Sequence, residues 1–288
     1  MDKSLRSALR LNNDGVQFLL ENNDEEAQTC FNLSLDLVKQ SLISNSKNQT
    51  RGGESTSSTS SPTRCMHQQS HSIPFLRSQD CFIYNKAISF ILDDEDEDTI
   101  LEEWYKNPEE ERHVANNDDD NCNNLHLYSA IIILNIALAY HRQAMIVSSL
   151  SSSSSHPPRR FQQGTTISRS AAAQEWRARA EKMYDMVTIL LEDVDGDYDD
   201  NSDDDIVCAT NTTTALLVKI AAVNNLSQLQ REMGDYESSR DGFEYLGELI
   251  DFAEYHLKTT LLWNQEDTIM GMLLNVLLAT SPEAAGAA

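Results

Sequence analysis

Val223 to Phe243 reads VNNLSQLQREMGDYESSRDGF: a helical stretch, a turn and the start of a second helix. Within it, Met233-Gly234-Asp235 supplies a glycine that stops one helix and an aspartate that caps the next. A second copy of that spacing runs from Leu11 to Phe31, with Asn22-Asn23-Asp24 at the turn and Glu25 and Glu26 facing the positive end of the following helix. Gly15, Phe18, Ala27 and Phe31 in this copy correspond to Ser227, Gln230, Ser239 and Phe243 in the other. Two antiparallel helices approach closely only where small side chains sit at their crossing and large ones fill the gaps beside it. Recurrence of this unit predicts a helical repeat fold.

A third copy emerges once an insertion is allowed between its helices. Its first helix runs from Leu127 to Ile146, with Ile136, Ala137 and Tyr140 at the hydrophobic, small and aromatic places. Its second runs from Ala172 to Leu191, where Trp176, Ala180, Met183, Tyr184 and Val187 follow helical spacing along one face. Between them lie roughly 25 polar residues, far more than the short turns usual between neighbouring helices. After the last copy, Met270, Leu273, Leu274, Leu277 and Leu278 form an apolar stripe read as a terminal capping helix. Phe82 and Tyr84, then Ile88, Phe90 and Leu92, alternate with period two, the pattern of an extended strand laid against helices.

The reading is therefore all-α, one domain over 1–288, of three antiparallel hairpins plus the capping helix. Helical parts are expected at 4–43, 122–148, 168–193 and 209–280. Disordered or irregular insertions are expected at 44–79, 107–121, 149–167 and 194–208. All six prolines, Pro62, Pro74, Pro108, Pro157, Pro158 and Pro282, fall outside the proposed helices.

The net charge of -24 overstates the acidity of the helical part. Nearly half of the 46 acids sit in blocks at Asp93–Asp98, Glu109–Glu111, Asp118–Asp120 and Glu192–Asp205, presumed loops, and the rest nearly balance 22 Lys and Arg. Such blocks read as solvated connectors and argue against nucleic acid or an anionic membrane as partner. The most apolar run, Ala130 to Ala139, is too short to cross a bilayer and contains Asn135, so no membrane segment is expected. With an amphipathic helix directly after Met1, the expected location is cytoplasmic, or nuclear, and not secreted.

Candidate chemistry is sparse. The five cysteines, Cys30, Cys65, Cys81, Cys122 and Cys208, are scattered and read as reduced thiols. Cys65, His67, His71 and Cys81 could ligate zinc by residue type, but Cys-x-His is not the usual spacing. An EF-hand register with Gly196 at the turn puts Leu191 and Ser202 where acids are required, so that loop fails. There is no Gly-rich phosphate loop, G-x-S-x-G elbow or H-E-x-x-H helix. Neither a catalytic set nor a cofactor or metal is expected. Asn13, Asn135 and Asn225 occupy one place in the three first helices, two residues before Gly15, Ala137 and Ser227. Buried amides need partners, and these three are expected to bond backbone groups of adjoining helices and so set repeat register. Asn12, Val16, His141, Asn224, Gln228 and Arg231 are the candidate groove residues.

Asn224-Asn225-Leu226 followed by Gly234-Asp235-Tyr236 resembles tetratricopeptide repeat (TPR) proteins of the kinesin-light-chain-like subclass. The order of elements is also similar to a family of uncharacterised TPR-like proteins of single-celled algae. Gly234 and Tyr236 thereby join the repeat-packing set of Gly15, Phe18, Ala27, Phe31, Ala137, Tyr140, Ala180, Tyr184, Ser227, Ser239 and Phe243. The resemblance implies a peptide or helix bound in a concave groove lined by first helices. One subclass grips acidic chaperone tails with Lys and Asn one turn apart. The matching places here are Asn12 and Val16, Leu134 and Leu138, and Asn224 and Gln228, so that clamp is missing. The functional expectation is a non-enzymatic adaptor or scaffold for a protein or peptide partner; the alternative is a metal- or calcium-responsive regulator using the Cys/His or acidic insertions.

Overall fold

The computed structural model describes residues 3–49, 68–74, 82–92, 118–152, 163–192, 206–257 and 266–280. These form helices α1 (Lys3–Leu20), α2 (Asp24–Gln49), α3 (Asp118–Ser152), α4 (Gln163–Leu190), α5 (Ile206–Met233), α6 (Tyr236–Leu257) and α7 (Glu266–Thr280). Strands β1 (Gln68–Ser72) and β2 (Lys86–Phe90) form an antiparallel ribbon that pairs Gln68 with Phe90 and Ser72 with Lys86. The chain is thus mostly helical with one small ribbon. In chain order α1 packs on α2, α3 on α4 and α5 on α6, while α2 against α3, α4 against α5 and α6 against α7 join the pairs in series.

Both turns anticipated from the repeat end their helix in the same way. Asn22 and Gly234 carry positive φ, 64° and 88°. The amide after each reaches back five residues: Asn23 N donates to Phe18 O at 2.9 Å and Asp235 N to Gln230 O at 2.9 Å. This is a left-handed C-terminal cap, which satisfies carbonyls the helix cannot satisfy itself. Asp235 then accepts the amide of Ser238 at 3.2 Å, capping the next helix. Asn22 does the work of a glycine because its short amide side chain tolerates the left-handed region.

Small residues set the helix pairs. A Cβ built on Gly15 would lie 2.5 Å from the Phe31 ring, and one on Gly242 would lie 2.2 Å from Ser227 Oγ. Ala27, Phe31, Ala137, Ala180, Tyr184, Ser227, Ser239 and Phe243 are all buried, and Phe18 and Tyr140 pack partly buried against the same core. Burying a Phe31-sized side chain stabilises by about 1.5–3 kcal/mol. Arg142 of α3 clamps the first turn: Nη2 lies 2.9 Å from Asp24 Oδ1, Nη1 donates to Leu19 O at 2.5 Å, and Gln143 Nε2 donates to Asp24 Oδ2. Burial pushes Asp24 upward, with Arg142 opposing, and pushes Arg142 downward.

Several expectations are corrected. β1 lies inside 44–79, and α3, α4 and α5 begin inside 107–121, 149–167 and 194–208, so the acids Asp118–Asp120 belong to a helix rather than a loop. Tyr236, assigned to packing, is 61% exposed because it opens α6 on the solvent side. The apolar part of α3 is longer than the run first read. Leu125–Leu150 is long and apolar enough to cross a membrane by length and composition, with an 18-residue window of mean hydropathy 1.5, and 72% of that window is buried within the fold. In α7 the stripe does not face inward. Of its five residues only Leu273 packs partly buried against the core; Met270, Leu274, Leu277 and Leu278 are exposed, whereas Thr268, Met272 and Asn275 are buried.

Candidate functional site

The expected strand exists, and it lies along the first helices of the pairs and α7. Residues 82–85 run extended into β2, and the backbone groups of Phe82, Tyr84, Ile88 and Phe90 meet a row of asparagines. Asn275 accepts Phe82 N at 2.9 Å and donates to Phe82 O at 2.6 Å. Asn225 accepts Tyr84 N at 2.8 Å and donates to Tyr84 O at 2.8 Å. Asn135 accepts Ile88 N at 3.0 Å and donates to Ile88 O at 2.8 Å. Asn13 accepts Phe90 N at 2.8 Å and donates to Phe90 O at 2.7 Å. Each carboxamide, one acceptor and one donor side by side, thus pairs with both backbone groups of one residue, as a neighbouring strand would.

A period of two turns alternate residues to opposite edges, so Ala87 and Ser89 direct their backbone groups to β1, their partners there being His71 and Gln69. β2 thus has β1 on one edge and asparagine side chains on the other.

Further asparagines brace the row. Asn12 donates to Ile88 O at 3.0 Å and accepts from Asn135 Nδ2 at 2.9 Å. Asn224 donates to Phe82 O at 3.3 Å and accepts from Asn275 Nδ2 at 2.8 Å. Asn225 spends its second amide hydrogen on Tyr184 Oη at 3.2 Å, and His141 Nδ1 sits 3.3 Å from the same oxygen. Burial, then the nearby charge of Arg177, lowers the His141 pKa to about 4, so this imidazole is neutral near pH 7. Burial likewise pushes the phenols of Tyr84 and Tyr184 above their ordinary range. At the site the amides grip uncharged backbone without a titrating group of their own.

Side chains of the strand meet shaped surfaces. Phe82 rests where Gly271 leaves space: a Cβ there would come within 2.3 Å of its ring. The rings of Phe90 and Tyr128 pack T-shaped with centroids 5.4 Å apart. Ala87 is fully buried, and Lys86 Nζ donates to Thr268 Oγ1 at 3.0 Å. Beside Tyr84 and Ile88 a cleft of about 300 Å³ opens toward Leu217, Val218 and Met272.

Of the expected groove residues, Asn12 and Asn224 touch the strand, and His141 stands behind Asn225 through Tyr184. Val16 is buried in the core, Gln228 is buried, and Arg231 lies in the last turn of α5. The register reading of Asn13, Asn135 and Asn225 is corrected: their amides bond the backbone of 84–90, not that of adjoining helices, because an extended segment offers unpaired groups and a helix does not. Asn275 and Gly271 went unseen. The signal was there in Leu274-Asn275, which repeats Leu134-Asn135 on an apolar helix, but Leu277 occupies the place where Gly15, Ala137 and Ser227 are small.

Of the four residues able to ligate zinc by type only His71 is described, its Nε2 2.9 Å from Ser89 Oγ; Cys65, His67, Cys81 and the acids Asp193–Asp205 lie outside the described residues. Among the described residues no group of three His, Cys, Asp or Glu could hold a metal ion. No protein-family model, curated protein or solved structure matches the chain.

Proposed function

We propose that the chain is a non-enzymatic adaptor or scaffold: a TPR-like helical solenoid whose concave face grips an extended segment of a partner protein. One observation carries the reading. Four asparagines, one on each of α1, α3, α5 and α7, each bind both backbone groups of one residue in Phe82–Phe90. Such a row is suited to recognising an extended peptide, because the backbone groups supply affinity while side-chain pockets supply selectivity. The proposed setting is cytoplasmic or nuclear, without nucleic acid or membrane as partner.

Proximity labelling in cells, followed by binding of the purified chain to each candidate, tests it. A partner whose binding is lost in Asn135→Ala/Asn225→Ala is expected. Failure of every candidate to bind, together with a reproducible turnover activity in the purified chain, would overturn the reading.

A further inference from the structure

We infer that Phe82–Leu92 is a tethered stand-in for the partner's peptide, and that the partner presents an extended segment of the same alternation with an aromatic residue where Ile88 sits. The inference rests on the peptide-binding reading and adds to it the ligand's chemistry and its competition with the chain's own strand.

The asparagine bonds at Phe82, Tyr84, Ile88 and Phe90 are all to backbone. Nothing in them is specific to this segment, and any extended chain in that register can make them. Selectivity must come from the side chains. Gly271 leaves space for the Phe82 ring, Tyr128 packs T-shaped with Phe90, and the fully enclosed site of Ala87 admits only a small residue.

A tethered occupant has an effective concentration on the order of millimolar, so an incoming peptide with the same contacts would lose to it at cellular concentrations. The cleft beside Ile88 resolves this. Its volume of about 300 Å³ is walled by Leu217 and Ile269 among the polar side chains of Gln69, Thr214 and Thr268, and isoleucine leaves that partly apolar wall uncovered. An aromatic side chain at that place buries it and gives the incoming peptide the added contact it needs.

Two fluorescent peptides test this: the sequence of Phe82–Leu92, and the same sequence with Phe in place of Ile88. Each is titrated into the full native chain and into a loosened chain, Phe82→Ala/Phe90→Ala, whose retained helicity is checked by circular dichroism. Both peptides are expected to bind the loosened chain at least about tenfold more tightly than the native one, since self-occupancy divides affinity by the open fraction. The Phe peptide is expected to bind more tightly than the other on both chains. Adding Asn135→Ala/Asn225→Ala to the loosened chain should remove binding of both.

Equal affinity for native and loosened chains overturns the competition and leaves the groove function standing. A Phe peptide no tighter than the native sequence overturns the assignment of the cleft. A helical loosened chain that takes up neither peptide overturns this inference; the groove function itself falls only if purified partners also fail to bind.

Discussion

Helices α1 and α5 each present two unlike faces. Toward the second helix of its pair, α1 offers Gly15 to the ring of Phe31 and α5 offers Ser227 to Gly242, contacts that discriminate by size to within a methyl group. Toward the strand they offer Asn12, Asn13, Asn224 and Asn225, contacts that discriminate by donor and acceptor position and accept any extended backbone. The seam face holds the frame together, and the amide face holds something laid on it. Changes on the first should unfold helices, and changes on the second should release the strand while the helices persist.

The largest effect belongs to the frame. Arg142→Ala leaves Asp24 its bond from Gln143 but no charge partner, at a site with 6% side-chain exposure, and losing one partner of a buried pair typically costs about 3–5 kcal/mol. Urea denaturation followed by helical circular dichroism should show the whole transition moving to lower denaturant. An unmoved midpoint would mean that the clamp contributes nothing to the frame.

Next comes the seam. Gly15→Ala gains helix propensity, yet its new methyl overlaps the Phe31 ring, and overpacking of this kind costs up to about 3 kcal/mol. Thermal melting should report the loss, and Phe31→Leu in the same chain should recover part of it. A stabilised Gly15→Ala chain would show that the seam has slack.

His141 stands between the faces, and acid should find it. Its folded pKa of about 4 lies below the ordinary 6.5, so as pH falls below 6.5 the unfolded chain takes up a proton that the folded chain refuses. Stability is therefore lost on acidification, by roughly 2 kcal/mol between pH 7 and 5 for this group alone. Asp24, Glu181 and Glu232 have raised pKa values and act in the opposite sense, so the measurement is the difference in pH dependence between the native chain and His141→Gln. Parallel curves would show that the imidazole is not held neutral.

The smallest effect is the most local. Asn13→Ala removes both side-chain bonds to Phe90, worth about 1 kcal/mol net. Amide hydrogen exchange should quicken in 88–90 and stay unchanged in α5 and α6. Uniform acceleration throughout the chain would erase the distinction between the two faces.

Much of this was legible in the residues because the seam is a local affair. Small and aromatic positions at fixed spacing, and Asn22 and Gly234 at the turns, describe contacts between helices adjacent in the chain. The alternation of Phe82, Tyr84, Ile88 and Phe90 likewise announced an extended strand. The recurrence of Asn13, Asn135 and Asn225 was equally visible, but its meaning was not. Those amides meet groups 77, 47 and 141 residues away in the chain. Periodicity says that a polar group is buried and not what satisfies it.

α7 went astray for a related reason. Its leucines outnumber its one asparagine, and apolar content cannot say which way a nearly all-apolar helix will turn. Packing on α6 and the bonds of Asn275 to Phe82 settle that orientation. The sequence by itself determined the helical pairing, the turns and the small-residue crossings, because each depends on residues of one helix or of the next one along the chain. Only the tertiary structure decided that four asparagines from four helices form one edge, since a single amide cannot stand in for a strand and a row of them exists only once the helices are stacked.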